Sequence, residues 1–136
     1  AWWLDVAAAL QRAGRGVFHD MIHGRVVIAP EEFGDVVLGR KDVGVAYHLA
    51  VVVDDAAEKV THISRGEDLL AATHIHVLLQ DLLGYQRPIY RHHRLLLDDD
   101  GKRLAKRDGA EGLRALRARG VSIAQLRADI LAQRLW

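Results

Sequence analysis

One helical segment, with strand-like residues on both sides, constrains the fold of this chain more than any other feature. Residues 67–84 (EDLLAATHIHVLLQDLLG) begin with acidic residues, which the helix dipole favours there, and end at Gly84. Side chains suited to a core recur at helical spacing, at Leu70, Thr73, Val77 and Leu78. Residues 61–66 (THISRG) before the helix and 89–98 (IYRHHRLLLD) after it are predicted strands. This order of strand, helix and strand predicts an α/β domain.

The residues before this unit give weaker patterns. Residues 3–13 are rich in alanine and leucine and predict a leading helix that Gly14 ends. A loop-like stretch with a short apolar run at 26–29 follows, and residues 34–44 predict one short strand between glycines. Residues 46–60 fit a strand by their β-branched run and a helix by their alanines and length, so their structure stays open.

The C-terminal residues predict a helical tail. Two amphipathic segments, 111–119 and 122–134, are separated by Gly120. Ser122 stands where it can cap the second helix, because a serine hydroxyl accepts hydrogen bonds from the first backbone N–H groups of a helix.

Length and composition indicate one domain of ordinary balance. The 136 residues are 50% hydrophobic and 27% charged, enough for a sizeable core. No apolar run approaches the roughly 20 residues of a membrane span. The absence of cysteine excludes disulfides and a thiolate zinc site, and it suits a reducing cytosol. We divide the chain into a leading helix (about 1–16), a central α/β region (17–110) and a helical tail (111–136).

A basic loop between Gly101 and Gly109 has the most evident chemistry. Its cations are Lys102, Arg103, Lys106 and Arg107. A glycine-flanked loop of this charge can close over a triphosphate and stabilise the negative charge that develops as pyrophosphate leaves. On charge alone, a solvated hairpin tip is the favoured alternative. Because the chain has no GxxxxGK[ST] motif, a P-loop is not expected.

Two single residues have side chains suited to a polar substrate. Arg65 lies between a predicted strand and a helix, where open α/β sheets bind ligands, and its guanidinium can pair with a carboxylate. Its alternative is a structural ion pair with Glu67 or Asp68. Tyr47 offers a hydroxyl at the start of the segment 46–60, and its alternative is a half-buried core position.

The histidines and acidic clusters do not predict a metal site. Three histidine pairs lie close in sequence: His19 and His23, His74 and His76, and His92 and His93. The first pair would need a helix that Gly24 makes doubtful, and the other pairs fall on different faces of a helix or strand. Without cysteine or a clear third ligand, we expect no zinc site. The adjacent carboxylates at 54–55 and 98–100 are expected to be solvated and are given no catalytic role.

Four runs of sequence, in order and with consistent spacing, carry a resemblance to a known family. They are VFHDMIHG (17–24), GDVVLGRKD (34–42), AYHLAVVVDDAAEKVTHISRGEDLLAATHIHVLLQDLLG (46–84) and YRHHRLLLDDDGKRLAKRDG (90–109). Together they resemble the glutamyl-Q tRNA(Asp) synthetases, short paralogues of glutamyl-tRNA synthetase among the class I aminoacyl-tRNA synthetases. Within these runs, YHLAVVVDDA followed by THISRGEDLL is specific to the glutamate-handling branch.

The resemblance implies a fold and an activity. The chain would form the second half of a Rossmann-type class I catalytic domain, with a helical C-terminal tail. The enzyme, a cytoplasmic ligase, would use ATP with Mg²⁺ to form glutamyl-adenylate. It would then pass the glutamyl group to the queuosine base of tRNA(Asp). Neither a membrane nor DNA is an implied partner, and the family's zinc segment would lie upstream of residue 1.

The resemblance also assigns site residues by position. Tyr47 and Arg65 match family residues that hold glutamate. Arg65 matches the arginine that pairs with the substrate's carboxylate. The class I signature loop Lys-Met-Ser-Lys-Ser corresponds to Arg103, Leu104, Ala105, Lys106 and Arg107, and Lys106 is the lysine expected to contact ATP. This loop departs from the family pattern, because arginine replaces the first lysine and Ala105 removes a hydroxyl. No catalytic acid, base or metal ligand is assigned.

One signature of the family is missing from this chain. Class I synthetases carry His-Ile-Gly-His in the first half of the nucleotide fold, and THIHVL at 73–78 echoes it only superficially. We therefore expect a C-terminal portion of the catalytic domain that is inactive in isolation. Three alternatives stay open: a fragment of a full glutamyl-tRNA synthetase, a non-catalytic remnant that binds tRNA or protein through its arginine-rich half, and a generic nucleotide-binding α/β domain.

Overall fold

A computed structural model describes residues 1–97, 103 and 112–132 of the chain. The chain divides into two compact units, Ala1–His92 and His93–Trp136. In order, the helices and strands of the described residues are β1 (Trp2–Leu4), α1 (Val6–Ala13), β2 (Val17–Asp20), β3 (Gly24–Val27), β4 (Val36–Arg40), β5 (Gly44–Val45), α2 (Tyr47–Ala57), β6 (His62–Gly66), α3 (Leu70–Leu83), β7 (Ile89–His93), α4 (Leu113–Ala118) and α5 (Ile123–Ala132).

The strands form two sheets. A three-stranded sheet has the order β1-β4-β5, with both pairs antiparallel. A four-stranded sheet has the order β3-β2-β7-β6. Within it β2 and β3 form an antiparallel hairpin, whereas β2 runs parallel to β7 and places Asp20 opposite Tyr90. This parallel pairing brings together two segments that are about 70 residues apart, well beyond the dozen or so residues that a crossover between parallel strands needs.

The core of the first unit is centred on α3. Ile75, Val77 and Leu78 of this helix are almost completely buried. Further buried apolar residues come from α3 itself, from α1, β2, α2 and β7, and from the segment after β3. The whole set is Val6, Ala9, Phe18, Ile28, Val52, Ile75, Val77, Leu78, Leu79 and Tyr90. Helices thus share a core with a sheet, and the α/β prediction is confirmed.

The predicted strand–helix–strand unit is confirmed in outline. β6 occupies the segment predicted at 61–66, and the helix predicted at 67–84 begins with a 3₁₀ turn (Glu67–Leu69) and continues as α3. Gly84 adopts the left-handed conformation (φ 69°) that commonly ends a helix, and glycine adopts it without the steric cost of a Cβ atom. The segment 46–60, which fitted both strand and helix, forms α2, with Val52 buried and Val51 packed against the core.

The leading helix predicted from residue 3 begins later. Trp2–Leu4 instead forms β1, which pairs with β4, because aromatic side chains favour a sheet surface. The Asp5 carboxylate accepts a 2.8 Å hydrogen bond from Ala8 N and caps α1. Asp5 therefore separates β1 from α1, whereas composition alone predicts one continuous helix over both.

Two further expectations for the first unit were wrong. The loop-like stretch after Gly14 contains the β2–β3 hairpin, and the single strand expected at 34–44 is two strands joined by a turn. Gly24 and Gly44 have φ of 75° and 84°, so each supplies a backbone conformation that an L side chain rarely adopts. These strands form because the residues on the two sides of each turn pair with each other, and this pairing is not evident from local sequence.

In the second unit the predicted helices are present as α4 and α5, and the Ser122 hydroxyl accepts from Gln125 N (3.1 Å) as the predicted cap. The strand predicted to reach residue 98 ends at His93, and beyond it Leu97 forms an isolated antiparallel bridge with Arg103. None of the described helices is long and apolar enough to cross a membrane.

Candidate functional site

A half-buried arginine lies where β6 leads into α3. Arg65 Nε donates to His92 Nε2 (3.1 Å), and Nη2 donates to Thr73 Oγ1 (2.6 Å) and His76 Nδ1 (3.1 Å). Three elements therefore hold the guanidinium: β6 carries it, α3 supplies Thr73 and His76, and β7 supplies His92. The guanidinium carbon also lies 5.4 Å from the centroid of the Tyr90 ring, within cation–π range.

The guanidinium of Arg65 is hydrogen-bonded to uncharged acceptors. Its acceptors are two imidazole nitrogens and a hydroxyl, and among the described residues no Asp or Glu forms an ion pair with it. The predicted alternative, a structural ion pair with Glu67 or Asp68, is therefore not what holds this side chain. Within the same residues Nη1 has no acceptor, so the guanidinium has no direct ionic partner there and keeps an available N–H pair. Such a site attracts an anion, and a carboxylate fits it.

A buried carboxylate supports the histidine behind Arg65. Asp20 Oδ2 accepts from His92 N (3.0 Å) and contacts His92 Nδ1 (2.6 Å). Asp20 Oδ1 accepts from Ile22 N (2.8 Å) and His23 N (2.9 Å). Burial by itself would raise the pKa of Asp20, but these hydrogen bonds favour the ionised form and hold the pKa well below its usual range.

The histidines around Arg65 are kept neutral. Burial, assisted by the charge of Arg65, lowers the pKa of His76 to about 3. Burial also lowers the pKa of His92, although its hydrogen bond to Asp20 acts in the opposite direction, and burial lowers the pKa of His48. A protonated imidazole beside the guanidinium would place two like charges in contact, so the neutral form is the one compatible with this geometry.

The buried histidines predict that the protein loses stability in mild acid. Below about pH 6.5 the unfolded chain protonates His76 and His92, whereas the folded protein keeps them neutral down to their lowered pKa values, about 3 for His76. The unfolded state then binds more protons. The free energy of unfolding therefore decreases as the pH is lowered, by up to about 1.4 kcal/mol per pH unit for each histidine. Urea denaturation at a series of pH values measures this slope. His76→Gln should flatten it, and a stability that is flat between neutral and mildly acid pH would contradict the assignment.

Tyr47 lies next to this network in the first turn of α2. Its ring centroid is 5.7 Å from that of His76, which also contacts Arg65, and its side chain is 50% exposed. The alternative of a half-buried core position is wrong, since Tyr47 is outside the hydrophobic core. His48, the next residue, contacts His76 through its Nδ1 (3.0 Å to Nε2). The two residues assigned to glutamate by resemblance therefore share one neighbour.

Sequence reasoning did not single out Asp20, Thr73, His76 or His92 as parts of a site. A signal for Asp20 was available, because alternate residues of a strand face the same side and Phe18, two positions earlier, is a core residue. A carboxylate on the inward face of a strand needs buried donors. Their identity was not available from local sequence, since His92 is 72 residues away.

Of the predicted ATP loop, the structure describes Arg103. Arg103 forms the bridge with Leu97 and is exposed, and the other loop residues, Leu104, Ala105, Lys106 and Arg107, lie outside the described residues. Within the part of the chain that the structure describes, no three His, Asp or Glu side chains are grouped to hold a metal ion. His19 lies on a strand rather than the helix that a pair with His23 would need.

Comparison with protein families identifies the fold. Residues 6–127 match the family described as tRNA synthetases class I (E and Q), catalytic domain. The chain belongs to this family. The predicted resemblance and the predicted class I catalytic-domain fold are both confirmed.

The similar proteins in this synthetase family are of two kinds. The chain is 61% identical over 94 residues to a glutamyl-Q tRNA(Asp) synthetase of Rhodobacter capsulatus, an overlap of 69% of this chain and 34% of that protein. It is 40% identical over 104 residues to a glutamate–tRNA ligase of Aquifex aeolicus, an overlap of 76% of this chain and 22% of that protein. The chain thus spans about a third or less of the length of these relatives.

Solved structures give the same result. A glutamate tRNA ligase from Elizabethkingia meningosepticum, in complex with its amino acid, is 32% identical and superimposes with a TM-score of 0.60. The match covers 76% of this chain and 23% of that chain. The glutamate-tRNA synthetase of Elizabethkingia anophelis gives a TM-score of 0.59 at the same identity. Both support a synthetase catalytic fold for this chain.

Proposed function

We propose that this chain supplies the glutamate-binding part of an ATP-dependent glutamyl-transfer site, and that the whole protein glutamylates the queuosine of tRNA(Asp). One observation carries the proposal: the half-buried guanidinium of Arg65 is hydrogen-bonded to neutral acceptors. Its Nη1 has no acceptor among the described residues. A substrate carboxylate would neutralise this charge and accept from that nitrogen. Tyr47, exposed and with its ring close to His76, offers a hydroxyl beside the network as a second contact for glutamate.

The proposed reaction has two steps. A glutamate carboxylate oxygen attacks the α-phosphorus of Mg²⁺–ATP, which forms glutamyl-adenylate and releases pyrophosphate. A hydroxyl of the queuosine base then attacks the activated carbonyl, and AMP leaves. The part of Arg65 in both steps is to hold the carboxylate that does not react, so that the reacting one is presented in a fixed position.

The preference for queuosine over a terminal adenosine rests on similarity. Two glutamyl-Q tRNA(Asp) synthetases are 61% and 50% identical to this chain, whereas the glutamate–tRNA ligases of Aquifex aeolicus and Sulfurihydrogenibium are 40% and 41% identical. A full glutamate–tRNA ligase is therefore the second candidate. In that case the activated glutamate would be the same and only the acceptor would change.

Glutamate transfer by the full-length protein tests the proposal. Radiolabelled glutamate should be incorporated into tRNA(Asp) that contains queuosine, and not into the same tRNA prepared without queuosine or into tRNA(Glu). Charging of tRNA(Glu) would identify a glutamate–tRNA ligase. Absence of glutamate-dependent exchange of pyrophosphate into ATP would contradict both candidates and leave a non-catalytic remnant.

A charge reversal tests the proposed ATP loop. In the full-length protein Lys106→Glu should lower the rate of glutamate-dependent ATP–pyrophosphate exchange by about 100-fold, because it replaces a cation by an anion where phosphate charge develops. The KM for glutamate should change little. The matched control is Lys41→Glu, in an exposed turn of the first unit. Equal losses in the two variants, or unchanged exchange in Lys106→Glu, would remove Lys106 from the site.

A further inference from the structure

The hydrogen bonds of Arg65 determine which nitrogen of each neighbouring histidine carries a proton. A guanidinium has five N–H donors and no acceptor. The two ring nitrogens that it contacts, His92 Nε2 and His76 Nδ1, must therefore be unprotonated acceptors. Each of these rings, being neutral, carries its single proton on the other nitrogen.

Both second nitrogens have a suitable partner. The His92 Nδ1–H donates to Asp20 Oδ2 (2.6 Å), and the His76 Nε2–H donates to His48 Nδ1 (3.0 Å). His48, with its Nδ1 accepting, then carries its own proton on Nε2. The positions of the protons thus follow outward from Arg65 along both branches of the network.

The Thr73 hydroxyl agrees with this arrangement. Its single proton goes to Leu69 O (2.9 Å), so its oxygen accepts from Arg65 Nη2. Thr73 Oγ1 also lies 3.0 Å from His92 Nε2, but it has no second proton to donate there. The lone pair of His92 Nε2 is therefore left to Arg65 Nε.

We propose that His92 and His76 are positioning residues that fix Arg65 for its substrate without cancelling its charge. This inference rests on the proposed glutamate-binding function. A carboxylate in either place would hold the guanidinium equally well, but it would compete with a carboxylate substrate for the same charge. A neutral imidazole accepts the same hydrogen bond and leaves the charge available. His92 acts at Nε and His76 at Nη2, so the guanidinium is fixed at two atoms and Nη1 remains for the ligand.

The first test needs no substitution in the site. Long-range ¹H–¹⁵N correlation spectra of the full-length protein, with ¹⁵N-labelled histidine at neutral pH, distinguish the two neutral tautomers from each other and from the cation. We expect His92 protonated on Nδ1, and His76 and His48 protonated on Nε2. A proton on His76 Nδ1 or His92 Nε2, or a charged ring at either position, would overturn the inference.

A matched pair of variants tests the functional consequence. His76→Leu removes the acceptor for Arg65, whereas His76→Asn places an amide oxygen near the position of Nδ1. In His76→Leu the KM for glutamate in ATP–pyrophosphate exchange should rise by roughly tenfold or more, while kcat and the KM for ATP stay within about twofold. His76→Asn should restore the KM for glutamate to within about threefold of the unmodified protein.

A purely structural role for His76 would give a different result. Both variants would then alter kcat and both KM values together, or the asparagine would fail to rescue, and either outcome would overturn the proposal. Circular dichroism and thermal unfolding report whether each variant folds. If neither folds, the tautomers of the unmodified protein still decide the matter.

The inference and the proposed function can fail separately. Glutamate-dependent exchange with the wrong histidine tautomers would overturn the inference alone. The expected tautomers in a protein without glutamate-dependent exchange would overturn the proposed function, and with it the positioning role for glutamate, while the assignment of the hydrogen bonds would stand.

Discussion

Asp20→Asn is expected to lower the free energy of unfolding by about 3–5 kcal/mol, the cost of breaking a buried, hydrogen-bonded charge. Asp20 is completely buried and faces N–H groups on both oxygens: Ile22 N, His23 N, His23 Nδ1, His92 N and His92 Nδ1. An asparagine of the same size offers one oxygen and one NH₂ group. Either orientation of the amide turns its NH₂ toward a backbone N–H, of Ile22 and His23 or of His92, so donors meet and at least one loses its acceptor.

Urea denaturation of the full-length protein measures this loss. The matched control is Asp42→Asn, since Asp42 is exposed and pairs only across the surface with Arg40 (2.6 Å). The control should lose less than about 1 kcal/mol. Similar small losses in the two variants would show that the carboxylate of Asp20 is not what holds the β2 turn against β7.

Arg65→Ala is expected to raise the KM for glutamate by roughly 10- to 150-fold in the full-length protein, the value of one hydrogen bond to a charged group. The KM for ATP should change little, because the proposed ligand of Arg65 is glutamate and not ATP. Arg65→Lys should give an intermediate value, since a lysine keeps the charge but cannot contact Thr73, His76 and His92 while also reaching a ligand. ATP–pyrophosphate exchange at varied glutamate provides the measurement.

The control for this substitution is Arg25→Ala, which removes an exposed arginine from β3. Its KM for glutamate should equal that of the unmodified protein. If Arg65→Ala raised the KM values for glutamate and ATP equally, the loss would be structural, because the variant also leaves His92 and His76 without their donor. An unchanged KM for glutamate would exclude Arg65 from the substrate site.

Local sequence predicted the elements whose signals are local. The helix of residues 67–84 was recognisable because core side chains recur at its period and Gly84 ends it, and Ser122 was recognisable as a cap because its partner is only three residues away. Elements formed by distant pairing were missed. β1 exists because Trp2–Leu4 pairs with β4, and no residue within α1 or before it reveals that partner.

The same distinction applies to the site. Arg65 and Tyr47 were singled out by position and by resemblance, and the structure places both against His76. The groups that hold Arg65 were not predicted. Three histidine pairs had been considered as possible metal ligands, whereas His76 and His92 serve as neutral acceptors for an arginine. Histidine is suited to either role, and the choice depends on what lies opposite each nitrogen.

The sequence by itself therefore determined the α/β class, the central helix with its end at Gly84 and the synthetase family, and it singled out Arg65 as a candidate to bind a carboxylate. Only the tertiary structure decided how Arg65 is held. The parallel pairing of β2 with β7 brings Asp20 to His92 across 72 residues, and the packing of α2 against α3 brings His48 to His76. Hydrogen bonds of this kind depend on atoms within about 3 Å of each other, and separation along the chain does not reveal that proximity. The charge of Arg65 could be read from the sequence, but its availability to a ligand depends on neutral partners that folding brings together.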